Sequence, residues 1–401
     1  MSVRLSTFAW RNLWRNARRT LVLISVFTLG IFTMLLIQSF LQGWIKSTFE
    51  TTYKNLSEPI QIHQPAYLDN PEVEHFFAFD QAITDFLDKA DIQYTQRVRV
   101  GATMQSEYDS VSVMVVGINS RTEQGISFLS EAISQGEYPN SAPGLVIGEK
   151  LAKRLTTQIN RRVVLMTQKN GGGLAEIGLP IIGLYKHPDP RVEESLVFMP
   201  LKPAAHWLNI GNGIHQIGII PHSDNKAVIQ SLSTQLQAAL PELSVQTIWQ
   251  RQPVLEATME LSDRMIWIWL GFVLLLMMLG MLNTLMMSLY ERQQEFNLLY
   301  SLGIKPLRLR LLVSFEIIFI VLVSTALAIS FMLGLVAWIG DGIELKQFAE
   351  GAAQFGMGTT LYLLIDIPKW TDVLVATLTT TMLFSLWPVW RATRHSRLQA
   401  R

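Results

Sequence analysis

The sequence predicts an α-helical membrane protein with four transmembrane helices and a large extracytoplasmic α+β domain inserted between the first and second. Three observations carry that reading. Of 401 residues, 49% are hydrophobic and only 16% are charged, against roughly 25% charged in a soluble domain, and mean hydropathy is positive at +0.26. Four stretches meet or approach the roughly 20 apolar residues that a bilayer-crossing helix needs. Between the first two of them, residues 44–264 alternate strand-like and helix-like runs over a length that can bury its own core. The formal net charge of +1 gives no bulk attraction to nucleic acid, and zero cysteines exclude disulfides, zinc–thiolate sites, iron–sulfur clusters and cysteine nucleophiles.

Residues 1–20 are amphipathic. Trp10, Trp14, Ala17 and Leu21 share one helical stripe and Arg4, Arg11, Arg15 and Arg18 another, as in a helix lying in the inner interface. The first span, 21–43, leads out through Gln38, Ser39, Phe40, Leu41 and Gln42 with no small-x-small cleavage pattern, so it reads as an uncleaved anchor. The domain at 44–264 divides into one expected subdomain at about 45–118 plus 212–250 and a strand-rich one at 119–211. Pro59–Gln64, Gln96–Ser106, Ser110–Ile118, Arg162–Gln168, Leu174–Tyr185, Ser195–Met199, Ile214–Ile220 and Ser244–Trp249 read as strands; Asp80–Lys89 and Asp224–Leu240 read as helices. From Gln252 a helical pattern runs into the second span, 265–289.

A short connector, 290–308, separates the second span from the third, 309–340. A 341–370 loop follows, then the fourth span, 371–390, and a basic tail, 391–401. Lys and Arg dominate residues 1–20, the connector and the tail, whereas the 341–370 loop carries Asp341, Glu344, Glu350 and Asp366. The positive-inside rule therefore puts both termini and the connector in the cytoplasm and the large domain outside.

No phosphate-binding loop exists; Gly144–Leu151 has the wrong spacing, with Glu149 intruding. There is no Gly-x-Ser-x-Gly elbow. His63 and His75 with Glu72 and Glu74 lack the spacing of a metal site. The chain thus reads as a non-enzyme with no cofactor or metal of its own. The informative string is the connector. Glu291 and Glu295 lie one helical turn apart, Arg292 sits beside them, Phe296, Leu299 and Tyr300 form an apolar stripe, and Gly303 can end the helix. A helix of that kind is either a docking element or a solvated connector. Glu316, two turns into the third span, is costly in lipid and is expected to pair with Arg308, Arg310 or a group on another span.

These residues carry a family resemblance. The Glu-Arg-x-x-Glu…Leu-Gly string at 291–303, followed by a span holding Glu316, resembles the permease motif of the MacB, lipoprotein-release (LolC/LolE) and FtsX families, the type VII ABC systems. Trp10–Thr20 is similar to their N-terminal helix, and Leu145–Leu155, Ile181–Tyr185 and Glu194–Leu201 are similar to blocks of their outer domain. Pro59–His63 with Pro65 and Tyr67 resembles the start of that domain in the lipoprotein-release-like branch. The C-terminal Ser396–Arg401 departs from the usual Pro-x-x-Ala-Leu-Arg. The resemblance implies a permease of the bacterial inner membrane, partnered by two cytoplasmic ABC ATPase subunits that bind ATP and Mg, by a second permease, identical or homologous, and by a periplasmic or outer-membrane component, with membrane lipids around it and no nucleic acid. It implies coupling to the ATPase through Glu291, Arg292, Glu295 and Gly303, mechanical transmission to the outer domain, and movement of a lipoprotein or other amphiphile. A cavity for it is expected at Met34, Leu41, Met277, Met278 and Met281, where flexible side chains suit varied apolar ligands. The alternatives within the same family are a mechanical regulator of an outer hydrolase and an exporter of peptides or toxins.

Overall fold

The computed structural model describes residues 17–68, 70–79, 81–89, 92–140, 142–301, 306–340, 342–344 and 360–399. The expected N-terminal helix lies outside them up to residue 16, as do Asp80, Gly303 and most of the 341–370 loop. The chain forms two compact units. One comprises residues 1–46, 258–344 and 360–401, and the other residues 47–257 and 345–359. The first described helix, α1 (Ala17–Lys54), has residues in both.

The second unit is built on a ten-stranded sheet. Its strands are numbered with β1 at Ile60–His63, β2 at Phe77–Ala78, β3 at Gln93–Gln105, β4 at Ser110–Ile118, β5 at Ile133–Gly136 and β6 at Leu145–Gly148. They continue with β7 at Arg162–Gln168, β8 at Leu174–Tyr185, β9 at Leu196–Pro200, β10 at Gly213–Ile214, β11 at Gln216–Ile220 and β12 at Ser244–Thr247. The order is β12-β1-β11-β3-β4-β9-β6-β8-β5, and β7 pairs with both β3 and β8. That bridge closes β3-β4-β9-β6-β8-β7 into a six-stranded ring, with β2 and β10 forming a separate two-stranded ladder. Closure removes sheet edges.

Strand β3 belongs to both halves, and its burial pattern says so. Thr95 and Arg97 are buried where β3 pairs with β11, while Val98, Val100, Ala102 and Met104 are buried along the ring segment. The parity switches between Arg97 and Val98, so the strand presents one face to each of two cores. The ring core gathers Val100, Met104, Val113, Leu145, Ile147, Val163, Leu165 and Leu179. The block Leu145–Arg154 has a clear physical role: Leu145, Val146 and Ile147 are fully buried in β6, which feeds α2 (Glu149–Arg154). Gly148 is required at that joint, since a Cβ there would sit 1.9 Å from the Glu193 carbonyl oxygen. Glu193, on α3 (Pro190–Ser195), accepts from the Lys150 amide at 3.0 Å and so satisfies a donor in the first turn of α2.

Several elements differ from expectation. β3 begins at Gln93, three residues early, and the helix expected from Asp224 begins at Lys226, capped by Asn225, whose side chain accepts from the Ala227 amide. β5 was not expected, because Ile-Ser-Gln-Gly at the end of the strand order is largely exposed and carries no hydrophobic alternation. α3 also escaped the pattern, although Asp189 caps it and Pro190 stands at its first turn.

The first unit is helical. α4 (Pro253–Glu291) leads to α5 (Gln293–Ser301), α6 (Pro306–Ile339) and α7 (Ile367–Gln399), with β13 (Ile343–Glu344) pairing β14 (Thr360–Leu361). Among the described residues, three helices are long and apolar enough to cross a membrane: Ala17–Lys54, Pro253–Glu291 and, within α6, Arg310–Ile339. α7 occupies the place of the expected fourth span but is rich in threonine. Thr377 and Thr381 are buried, and their hydroxyls donate to the carbonyls four residues back, of Val373 and Thr377.

Candidate functional site

The connector breaks where its charges begin. α4 ends at Glu291, Arg292 lies in a turn, and α5 restarts at Gln293. The break lets Arg292 reach across to α6: its Nη1 lies 3.1 Å from Glu316 Oε2, with both side chains only 12% exposed. Its Nε lies 3.5 Å from Glu295 Oε2, and the Glu295 side chain is 47% exposed. Glu291 pairs instead with Arg19 of α1 at 2.5 Å. These pairs link α1, α4, α5 and α6. Glu316 thus takes Arg292 as a partner. Arg308 and Arg310 stand eight and six residues before it on its own helix, which is not the three- or four-residue spacing that brings helical side chains together. Of the four coupling candidates, Glu291, Arg292 and Glu295 fall in this cluster, and Gly303 lies outside the described residues. Leu298, one turn beyond Glu295, is 62% exposed.

The cavity candidates have a different environment. Met34, Met277, Met278 and Met281 are buried in one apolar cluster with Phe27, Ile31 and Leu274, and Leu41 is half-buried. Gly30 admits the Met277 side chain: a Cβ at Gly30 would lie 2.2 Å from Met277 Sδ. Within this chain the methionines fill space. A cavity of about 240 Å³ in the same unit is lined by Gln38, Ile266, Trp267, Leu270, Lys369, Asp372 and Val373.

In the second unit the structure assembles a polar network that pattern reading missed. Arg97, fully buried, pairs with Glu58 at 2.5 Å and with Glu123 at 2.7 Å. Glu58 also accepts from Gln61 and Gln216, and Thr95 donates to Glu123. Burial alone would raise the Glu58 carboxyl and lower the Arg97 guanidinium, but each is held the opposite way by its partners. His63, expected as a poor metal ligand, stacks on Tyr67 and bonds Gln61 and the His215 carbonyl oxygen. Burial pushes His63 down to about 3 and His215 down to about 4, so both are neutral at pH 7. His75 bonds the Asn70 carbonyl oxygen.

The FtsX-like permease C-terminal family model matches residues 267–397, which contain the whole Arg292–Glu295–Glu316 cluster. The chain is 20% identical over 305 residues to the lipoprotein-releasing system transmembrane protein LolC of Neisseria meningitidis serogroup B, covering 72% of this chain and 69% of that relative. The chain is distantly related to the FtsX/MacB/LolC superfamily of ABC-transporter permeases. Among solved structures it is similar to the periplasmic region of MacB from Actinobacillus actinomycetemcomitans, with TM-score 0.36, 13% identity, and coverage of 50% of this chain and 95% of that one. It is also similar to the extracellular domain of the noncanonic ABC-type transporter YknZ from Gram-positive bacteria, with TM-score 0.33, 15% identity, and coverage of 47% and 99%. As a distant permease relative, the chain is a membrane-embedded protein whose apolar helices flank a large extracytoplasmic α+β domain, with a general permease-subunit role.

Proposed function

We propose that the chain is the membrane subunit of an ABC transporter of the lipoprotein-release type, driven by a separate cytoplasmic ATPase and moving a lipidated or otherwise amphiphilic substrate outward. The observation that carries this reading is the position of the ion-pair cluster. It lies inside the segment matched by the permease model, where a short helix carrying Glu295 stands between two apolar ones. In this reading Glu295 and Leu298 are the face that meets the ATPase. Arg292 is a positioning residue: its largely buried guanidinium, paired with Glu295 and Glu316, holds α5 against α6. ATP and Mg bind in the partner subunit, and a second permease completes the assembly. The substrate takes little affinity from the apolar interior, because an acyl chain gains little on leaving lipid for a similar environment; the work is supplied by the ATPase and transmitted through α1 and α4, each of which has residues in both units.

The test is charge reversal. Glu295→Lys in the full chain, co-expressed with its ATPase, lowers substrate-stimulated ATP hydrolysis about tenfold or more and leaves the amount of membrane-inserted chain unchanged. Unaltered coupling in that variant contradicts the proposal.

A further inference from the structure

A cavity of about 470 Å³ in the extracytoplasmic domain has no part in the coupling scheme. It lies between the β3–β4 turn, the end of α2 and the start of β7. Lys153, Arg161 and Arg162 line it against one carboxylate, Glu107. Arg161 reaches Glu107 only at 4.0 Å, with both side chains exposed, and among the described residues no carboxylate lies within 4.0 Å of Lys153 or Arg162. The wall between these cations is a strained one. α2 ends in a Schellman closure, with the Thr157 amide bonded to the Ala152 carbonyl at 2.9 Å and the Thr156 amide to that of Lys153 at 3.1 Å. Thr156 occupies the left-handed position at φ 50 where glycine is usual. A β-branched residue is an outlier there, and such outliers concentrate at functional sites. Thr156 is one of the residues that line the cavity. The Ser106 hydroxyl, donating to the Leu155 carbonyl at 2.8 Å, ties the turn to the helix end.

We propose that this cavity binds a phosphomonoester. Its lining carries three positive groups and one negative, which matches a charge of about −1.5 to −2 on a phosphomonoester at pH 7. Cations approaching from two elements, with hydroxyl donors between them, suit a phosphate, whose terminal oxygens accept from several directions; a carboxylate is satisfied by one guanidinium in its plane. The volume admits a headgroup-sized ligand, and Tyr108, 72% exposed at the rim, offers its ring to the ligand's body. The phosphate is either on a soluble metabolite or on a lipid headgroup, and the inference does not depend on the transport reading.

The full chain in phosphatidylcholine nanodiscs is titrated calorimetrically with glycerol phosphate and with dihexanoyl phosphatidic acid. Saturable one-to-one binding of at least one is expected, about tenfold weaker in the Lys153→Gln/Arg162→Gln variant and unchanged in Lys202→Gln, an exposed lysine outside the cavity. Thr156→Gly weakens binding while raising the thermal midpoint, a combination that a merely structural cap does not give. Tighter binding of the phosphatidic acid assigns a lipid source, and equal binding a soluble one. No saturable binding of either, equal weakening by Lys202→Gln, or tighter binding of a glutamate-rich hexapeptide overturns the proposal.

Discussion

Arg97 is a full positive charge with no exposure, held by two carboxylates that are themselves buried. A buried ion triad is costly to break and gives little net stability over an apolar core. Arg97→Met alone therefore destabilises the domain by about 3–5 kcal/mol, read as a lowered urea midpoint, whereas an added Glu58→Leu and Glu123→Leu recovers most of the loss. The histidines add a pH dependence with a definite sign. Their folded pKa values, about 3 for His63 and about 4 for His215, lie below the ordinary histidine value. The unfolded chain therefore binds more protons between about pH 6.5 and 4. Stability is at its full value above about pH 6.5 and falls as the pH drops. Hydrogen exchange of β1 and β11 in the full chain, corrected for intrinsic rates, should show protection lost across that interval, and His63→Gln/His215→Gln should flatten the profile. None of this was legible in the sequence. Arg97 and Arg99 alternate with apolar residues in Gln-Arg-Val-Arg-Val, the pattern of a strand with one wet face, and the groups that bury Arg97 come from Glu58 and Glu123, far along the chain.

Elements were legible where hydrophobic period decides them and obscure where pairing does. The apolar runs of α1, α4 and α6 locate three long helices directly. α7 is a helix whose threonines fold their hydroxyls back onto its own carbonyls, so its mean apolarity understates its fitness for a low-dielectric setting. The break between α4 and α5 follows from no propensity in Glu-Arg-Gln-Gln; it is what the Arg292–Glu316 pair requires. Arg292→Gln should free α5 from α6, raising amide exchange across residues 293–301 by about tenfold while the chain remains inserted. The cavity expected from methionine content is one formed in a dimer; within this chain those methionines pack against one another and their neighbours. Gly30→Ala should cost about 1–3 kcal/mol by overpacking against Met277, and in a Met277→Ala background that added cost should vanish in a double-mutant cycle.

At the scale of the whole chain, an α+β domain between apolar helices could be read from composition and charge bias, whereas the six-stranded ring could not. Its closure depends on three residue pairs between β3 and β7, Thr103–Met166, Met104–Leu165 and Gln105–Val164, and nothing local announces them. The permease family model matches in the helical part, and the 305-residue alignment to LolC extends into the outer domain. The account's central claim is that α5 docks a separate ATPase, and a photo-reactive amino acid in place of Glu295, half-exposed on that helix, tests it most directly. Irradiated in native membranes and analysed by mass spectrometry, the full chain should yield a cross-link to an ABC ATPase subunit, abolished when Leu298→Asp is added. Capture of lipid alone, or of a protein without a nucleotide-binding domain, would contradict the claim.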